Sequence, residues 1–152
     1  MESIPGARMP RVRVEAEIRP TEDVEKVKQA VLNVFTPDRV RIEEYGEYKL
    51  LVAEADSLRS LEKLHQLLRQ DRILDAARRY LQRGVDKTFL VFKLNKQVAL
   101  VGHVSFVDMD AEAPMGPITF IVEWDNPQEV IDWLAPPTRM GRPVYEKPRP
   151  DA

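Results

Sequence analysis

Hydrophobic residues in this chain repeat with two different periods, and the two periods alternate along the sequence. From Arg11 to Arg19, apolar and charged residues alternate strictly, which predicts a strand with one buried face. From Val24 to Phe35, valines recur at helical spacing and predict an amphipathic helix. A chain that mixes short segments of both kinds is expected to fold as an α+β domain, with helices packed on a sheet.

The predicted order of elements is β-α-β-β-α-α-β-β-β-α, and the predicted sheet is mixed or antiparallel. A second strand begins at Val40 and turns at residues 45–47 into a third strand that ends at Ala55. Two helical patterns follow. The region around residues 70–71 is either a break between two helices, which we favour, or the middle of one long helix. Gly84 is expected to end the second pattern as a left-handed C-cap.

Segments 88–94 and 97–107 flank Asn95-Lys96 and are predicted to form a β-hairpin with a two-residue loop. In that register both faces of the hairpin are apolar, whereas helices cover one face of a sheet in a two-layer fold. The second face then needs either the remaining helices or a second subunit, and we favour a homodimer. A strand over 117–124 and a short helix that starts at Asn126 complete the predicted fold.

The domain organisation follows from composition. Residues 1–10 are expected to be a flexible leader, 11–135 a single α+β domain, and 136–152 an extended or disordered tail because that segment is rich in proline and basic residues. The chain has no cysteine, which excludes a disulfide framework and a thiol nucleophile. No signal peptide or membrane span is visible, so we expect a cytoplasmic protein, and the high charge is typical of a thermophile.

Charge is sorted along the chain. Segment 57–97 carries ten Lys or Arg against four acids, a net of +6, whereas segment 98–135 carries seven acids and no Lys or Arg, a net of −7. The whole chain has a net charge of −2. A nearly neutral protein that concentrates positive charge in one segment is suited to an anionic partner, and nucleic acid is the first candidate.

Two runs of this sequence, 58–81 and 92–106, resemble an archaeal family known as uncharacterised family 0201 of the UPF series. The most specific parts are QDRILDAAR at 70–78 and LNKQ at 94–97, and the resemblance spans roughly 12–134. It implies a fold similar to that of the ribosomal protein that binds 5S rRNA. It also implies a cytoplasmic, archaeal, non-catalytic role near RNA, in RNA processing or translation. Asp71 departs from the pattern because it places an acid inside the basic motif.

The basic helices and the predicted hairpin tip are the candidate RNA-binding surface. Arginine side chains suit phosphate oxygens, and polar side chains at a hairpin tip can reach a groove. The alternative is a solvated helix face with ion pairs such as Asp75 with Arg79, and an Asn that merely tolerates a tight turn. The candidate residues are Arg59, Lys63, Arg69, Arg72, Arg79, Arg83, Asn95, Lys96 and Gln97.

Other residue patterns predict no further chemistry. His65 and His103 are isolated and receive no function, and the acidic loop over 108–116 lacks the glycine and final glutamate of a calcium loop. No nucleophile set, metal-ligand set or cofactor loop is present, so we expect neither an enzyme nor a cofactor. Our first hypothesis is a module that binds the phosphate backbone of structured RNA. The second is a homodimeric structural or protein-interaction module whose basic segment pairs with its acidic segment.

Overall fold

The computed structural model describes residues 9–108 and 116–152. Its strands are β1 (Arg11–Ile18), β2 (Arg39–Tyr45), β3 (Tyr48–Ala55), β4 (Val85–Asp86), β5 (Phe89–Asn95), β6 (Pro117–Glu123), β7 (Thr138–Arg139) and β8 (Arg142–Pro143). Its helices are α1 (Val24–Val34), α2 (Glu62–Gln70), α3 (Leu74–Gln82), α4 (Lys96–Leu100) and α5 (Pro127–Leu134), and a 3-10 turn (Leu58–Leu61) precedes α2.

A six-stranded sheet in the order β2-β3-β1-β6-β5-β4 is the frame of the fold, and all its neighbouring strands are antiparallel. This confirms the predicted α+β class. The predicted break between the two central helices is also present, because α2 ends at Gln70 and α3 begins at Leu74. None of the helices in the described residues is long and apolar enough to cross a membrane.

The core lies between the helices and one face of this sheet. The alternation in β1 places Val12, Val14 and Ile18 on that face, fully buried or nearly so. In the middle of the core, Phe92 of β5 stacks on Phe120 of β6 with ring centroids 4.7 Å apart. Each fully buried side chain of this size contributes about 1.5–3 kcal/mol through removal of apolar surface from water. The opposite face of the sheet carries charged side chains in ion pairs.

The hairpin predicted around Asn95-Lys96 is wrong. Asn95 is instead the N-cap of α4, and its side-chain oxygen accepts a hydrogen bond of 2.9 Å from the backbone N–H of Val98. β5 pairs along its whole length with β6. Asparagine favours helix caps as well as tight turns, and a short apolar run fits a helix or a strand equally well. Local pattern therefore could not decide between the two structures.

This correction removes the argument for a dimer that rested on a hairpin with two apolar faces. The apolar residues of segment 98–101 belong to α4 and its end. β5 buries one face, with Leu90 and Leu94 fully buried, whereas Phe89 on the other face is 39% exposed. The homodimer therefore stays a prediction that needs other support.

Gly84 does not have the expected left-handed conformation, since it is absent from the positive-φ glycines of the described residues. The backbone of β5 comes so close to it that a Cβ atom would collide with the carbonyl oxygen of Val91. The same approach gives a hydrogen bond of 2.9 Å from the Val91 N–H to the Gly84 carbonyl. Glycine is required here by close packing of two backbones.

Segment 136–152 differs from the expected disordered tail. It forms the β7–β8 hairpin and returns to the body of the protein. The Asp151 carboxylate accepts a 2.8 Å hydrogen bond from the N–H of Leu58, and Arg149 lies 3.5 Å from Glu62. These contacts join positions about ninety residues apart, which composition does not reveal. Residues 1–8 of the predicted leader and most of the acidic loop lie outside the described residues.

Candidate nucleic-acid interface

The structure divides the nine predicted RNA-binding residues into two groups. Side chains whose polar atoms bind other parts of the fold make up the second group, and Lys63 in that group is nevertheless exposed. The remaining candidates, all of them exposed, make up the first group. The first group is Arg59, Arg72, Arg79, Arg83 and Gln97. The second group is Lys63, Arg69, Asn95 and Lys96.

α3 and its two ends carry three of the exposed arginines among the candidate residues. Arg79 and Arg83 lie four residues apart and therefore share a side of the helix, and Arg72 lies in the connection before it. Arg79 pairs with Asp75 at 2.5 Å, but both side chains are about 70% exposed, and such a pair is worth about 0.3–0.5 kcal/mol. The Arg83 guanidinium lies 5.6 Å from the centroid of the Tyr80 ring. These arginines are accessible to an external anion.

Arg72 has an unusual backbone conformation. Its φ of 56° lies in the left-handed region, at the position after the last residues of α2 where glycine is most common. The N–H of Ile73 binds the carbonyl of Leu68, and the N–H of Arg72 binds the carbonyl of Arg69, both at 3.1 Å. These two bonds form a Schellman motif, which satisfies the last carbonyls of α2. An arginine in this place costs conformational energy that glycine would not.

Contrary to the prediction, Arg69 binds groups within the fold and is not presented to an external ligand. Its five N–H groups are all used within the fold, since its guanidinium makes five hydrogen bonds of 2.6–3.3 Å. Two go to the Glu146 carboxylate and the others to the carbonyls of His65, Trp133 and Leu134. The hydrogen bond from Arg69 is the main reason that the pKa of Glu146 lies below its usual value. Arg69 therefore joins α2, the end of α5 and the C-terminal segment.

Lys96 is also internal, being 5% exposed. Its ammonium group donates to both carboxylate oxygens of Glu22 at 3.1 Å and to the carbonyl of Glu17 at 2.8 Å. Asn95 caps α4, and Gln97 on the first turn of α4 is exposed. The predicted polar hairpin tip therefore does not exist, and the structure places Lys96 inside the fold, bound to Glu17 and Glu22.

The 3-10 turn and α2 hold the last two candidates. Arg59 and Lys63 both line a shallow surface depression of about 460 Å³. The Lys63 ammonium donates a 2.8 Å hydrogen bond to the carbonyl of Leu32, in the last turn of α1. A cation at the C-terminal end of a helix is stabilised by the helix dipole. Arg59, on the 3-10 turn, is exposed.

Ion pairs link the basic segment to several parts of the chain. Arg78 binds Asp132 of the acidic segment at 3.0 Å, and Asp71 binds His103 at the same distance.

His65 stacks on Trp133 with ring centroids 5.0 Å apart. Burial is the main cause that lowers the pKa of this histidine, and the positive charge of Arg69 is the second. In the described residues, no group of three or more potential ligands is placed to hold a metal ion.

The sequence reasoning missed the charge network on the face of the sheet that lies away from the helices. Arg41 of β2 binds Glu54 of β3 at 2.6 Å and Glu43 of its own strand at 2.8 Å, and Arg13 of β1 lies 3.5 Å from Glu54. Val52 is buried on this face, away from the helix-side core. The alternation of Arg and Glu with apolar residues at 11–19 and 39–43 was the available signal.

The fold and this surface define a class of protein, an antiparallel α+β domain with arginines exposed along a helix. A family model described as RNA binding matches residues 11–124. A UPF0201 protein of Metallosphaera sedula is 51% identical over 143 residues, covering 94% of this chain and 99% of the relative. A UPF0201 protein of Aeropyrum pernix is 51% identical over 142 residues, covering 93% and 95%. The chain therefore belongs to the UPF0201 family.

Solved structures agree with this assignment. The crystal structure of a UPF0201 protein from Methanococcus jannaschii matches with a TM-score of 0.73 and 34% identity, covering 89% of this chain and 99% of the other. The structure of Mth689 from Methanothermobacter thermautotrophicus, a DUF54 protein, matches with a TM-score of 0.59 and 21% identity, which shows the fold alone. The predicted family is thus confirmed, together with its α+β fold.

Proposed function

We propose that this protein is a non-catalytic, cytoplasmic RNA-binding module that holds the phosphate backbone of structured RNA with the outer side of α3. The observation that carries the proposal is the exposure of Arg79 on α3 and of Arg72 and Arg83 at its two ends. Arg59 on the 3-10 turn would add a further contact. The RNA-binding description of the family model supports the same class of partner.

The length of the surface fits several backbone contacts. α3 rises by about 12 Å from Leu74 to Gln82, with Arg72 before its first turn, Arg79 in its second half and Arg83 at its C-cap. Planar guanidinium groups pair with phosphate oxygens in a fork, and each such contact releases counterions from the RNA. Breaking the exposed Asp75–Arg79 pair costs about 0.3–0.5 kcal/mol, much less than a charge-assisted contact to phosphate returns.

Structured RNA suits this surface better than a free single strand. Proteins that bind single strands stack bases on exposed aromatic side chains beside positive charge. Phe92 is fully buried, whereas Phe89 is 39% exposed and lines a surface depression with Arg11 and Arg39. One ring gives a single stacking position, whereas single-strand binders stack successive bases. The exposed Tyr45 and Tyr48 stack on each other with ring centroids 5.6 Å apart, next to the acidic residues Glu44 and Glu47. That acidic surrounding disfavours a phosphate backbone.

The second candidate function is a protein-interaction module in which the basic segment pairs with the acidic segment. The 3.0 Å pair between Arg78 and Asp132 favours it, because it joins the two segments within one chain. The candidates differ in what the arginines of α3 do. They bind RNA in the first and protein carboxylates in the second.

Binding of purified protein to tRNA, ribosomal RNA fragments and duplex RNA at several salt concentrations tests the proposal. The test variant changes Arg72, Arg79 and Arg83 to Gln. A control variant with the same loss of charge changes three other exposed cations to Gln: Lys26, Lys49 and Arg142.

We expect the test variant to lose affinity and to reduce the slope of log affinity against log salt by about one for each contact removed. We expect the control variant to bind like the parent. Absence of binding by the parent at low salt would contradict the proposal and favour the second candidate, as would equal losses in both variants.

A further inference from the structure

We propose that β2 is the docking edge for a second copy of this chain, which adds its own β2 in antiparallel orientation and continues the sheet through a two-fold axis at Ile42. This proposal is independent of the RNA-binding function. β2 lies at one end of the sheet, and β4, which follows α3 directly in the chain, lies at the other end. The proposed docking edge is therefore distinct from the α3 surface.

β2 is the long open edge of the sheet. β2 pairs with β3 on one side, and among the described residues no strand pairs with it on the other. At the other end of the sheet, the edge of β5 is covered by the two-residue β4 and by residues 105–107, which bridge to β5. An exposed strand edge is a template for pairing with another chain.

The exposed side chains of β2 include apolar ones. Val40 is 37% exposed and Ile42 is 44% exposed. Both lie on the face of the sheet that the helices cover at the neighbouring strands, because they pair with Ala53 and Leu51 of β3, which are buried there.

Natural edges are protected by charged side chains, lysine above all, by proline or by a bulge. β2 contains no lysine or proline, and its pairing with β3 runs without interruption from residue 39 to residue 45. Its charged residues, Arg39, Arg41, Glu43 and Glu44, are of both signs, so they repel a second copy only in registers that place like charges opposite each other.

The turn determines which backbone groups face outward. β2 and β3 are joined by a two-residue loop with Gly46 at φ 64°, and such a loop is flanked by a pair that exchanges two hydrogen bonds. That pair is Tyr45 with Tyr48, so the odd residues of β2 bond to β3. The even residues, Val40, Ile42 and Glu44, therefore direct their N–H and C=O groups to the open edge.

The charge pattern selects one register for two copies. With Ile42 opposite Ile42 of the second copy, each Arg41 faces Glu43 of the other copy. Arg39 then faces Tyr45 of the other copy, and all seven residues of the strand are paired. Opposite charges directly across a pair of strands are stabilising.

The neighbouring registers that keep the same backbone groups outward are less favourable. An axis at Arg41 places two arginines opposite each other, and an axis at Glu43 places two glutamates opposite each other. An axis at Val40 places Arg39 opposite Arg41 of the second copy, and an axis at Glu44 again places two glutamates opposite each other. Like charges directly opposite are destabilising. The strand is therefore self-complementary about its own central residue.

A single introduced cysteine tests this register, because the chain has none of its own. In the proposed dimer the Cα atoms of the two Ile42 residues are roughly 5.5 Å apart, within the disulfide range. The two Val40 residues are separated by four strand positions, about 13 Å. Ile42→Cys should therefore form a covalent dimer under mild oxidation, and Val40→Cys, on the same strand and face, should not.

A non-covalent measurement keeps the test independent of the disulfide. By sedimentation, the parent should dimerise reversibly, Arg41→Glu should dimerise at least tenfold more weakly, and Arg41→Glu with Glu43→Arg should recover part of the affinity. Thermal unfolding of each variant shows that the fold is intact. A monomeric parent at high concentration would overturn the proposal, as would equal cross-linking at residues 40 and 42. Capture of a different protein by this edge in place of a second copy would also contradict it.

Discussion

Replacement of Lys96 tests whether this residue is part of the core or part of a ligand surface. Lys96 is 5% exposed and the Glu22 side chain 10% exposed, and they are joined by two contacts of 3.1 Å. Removing one member of a buried ion pair leaves an unpaired charge and costs about 3–5 kcal/mol. We therefore expect Lys96→Ala to lower the free energy of unfolding by that amount, a large share of the ordinary 5–15 kcal/mol.

Urea unfolding followed by circular dichroism measures this effect. With an m value of about 2 kcal/mol/M, the midpoint falls by roughly 2 M. Lys26→Ala is the matched control. Lys26 and Lys96 line one surface depression between α1 and α4, but Lys26 is exposed, so we expect a change within about 0.5 kcal/mol. Lys96→Met combined with Glu22→Leu should recover most of the lost stability, since apolar residues of similar volume often replace a buried pair without cost.

A loss below about 1 kcal/mol for Lys96→Ala would refute this reasoning, because it is the value of an exposed pair. It would mean that Lys96 is accessible, as the sequence alone suggested. Under conditions in which the Lys96→Ala variant is folded, we also expect it to bind RNA with the same affinity as the parent.

Two further predictions concern single residues of the central helices. Arg72→Gly should raise the free energy of unfolding by about 0.5–1 kcal/mol, because loss of the strain of a left-handed arginine outweighs the conformational entropy that glycine adds to the unfolded chain. Arg72→Ala keeps that strain and should leave the free energy of unfolding nearly unchanged. Both variants should bind RNA more weakly; a Gly variant less stable than the Ala variant would contradict the account. His65 has a lowered pKa in the folded protein, so its contribution to stability is present above the unfolded value of about 6.5 and is lost as pH falls. His65→Phe keeps the stack on Trp133 and should flatten the fall in stability below pH 6.5, measured by thermal unfolding across pH; an unchanged pH profile would contradict it.

Segments with a long, regular pattern were predicted correctly from the sequence. The alternation over 11–19, the valines of α1 and the turn at residues 45–47 each appear in the structure at the expected place. In these segments the period itself tells which face is buried, and burial is what stabilises the element. The α+β class follows from these elements together.

The accessibility of the basic residues could not be predicted in the same way. Arg69 and Arg79 look alike in sequence, both being arginines on amphipathic helices. Their difference comes from Leu134 at the end of α5 and Glu146 in the C-terminal segment, which bind Arg69 although they are more than sixty positions from it in the chain. A helical wheel shows which side of a helix is polar, but it does not show what packs there.

Local sequence pattern was enough to predict most of the elements, much of their order and the concentration of positive charge in one segment. Tertiary structure alone decided whether Asn95 makes a turn or a cap, which arginines stay exposed, and that β2 lies at the open edge of the sheet. The physical reason is range. Periodicity and capping act within a few residues, whereas pairing of strands and binding of carbonyl groups by arginine join residues far apart in the chain.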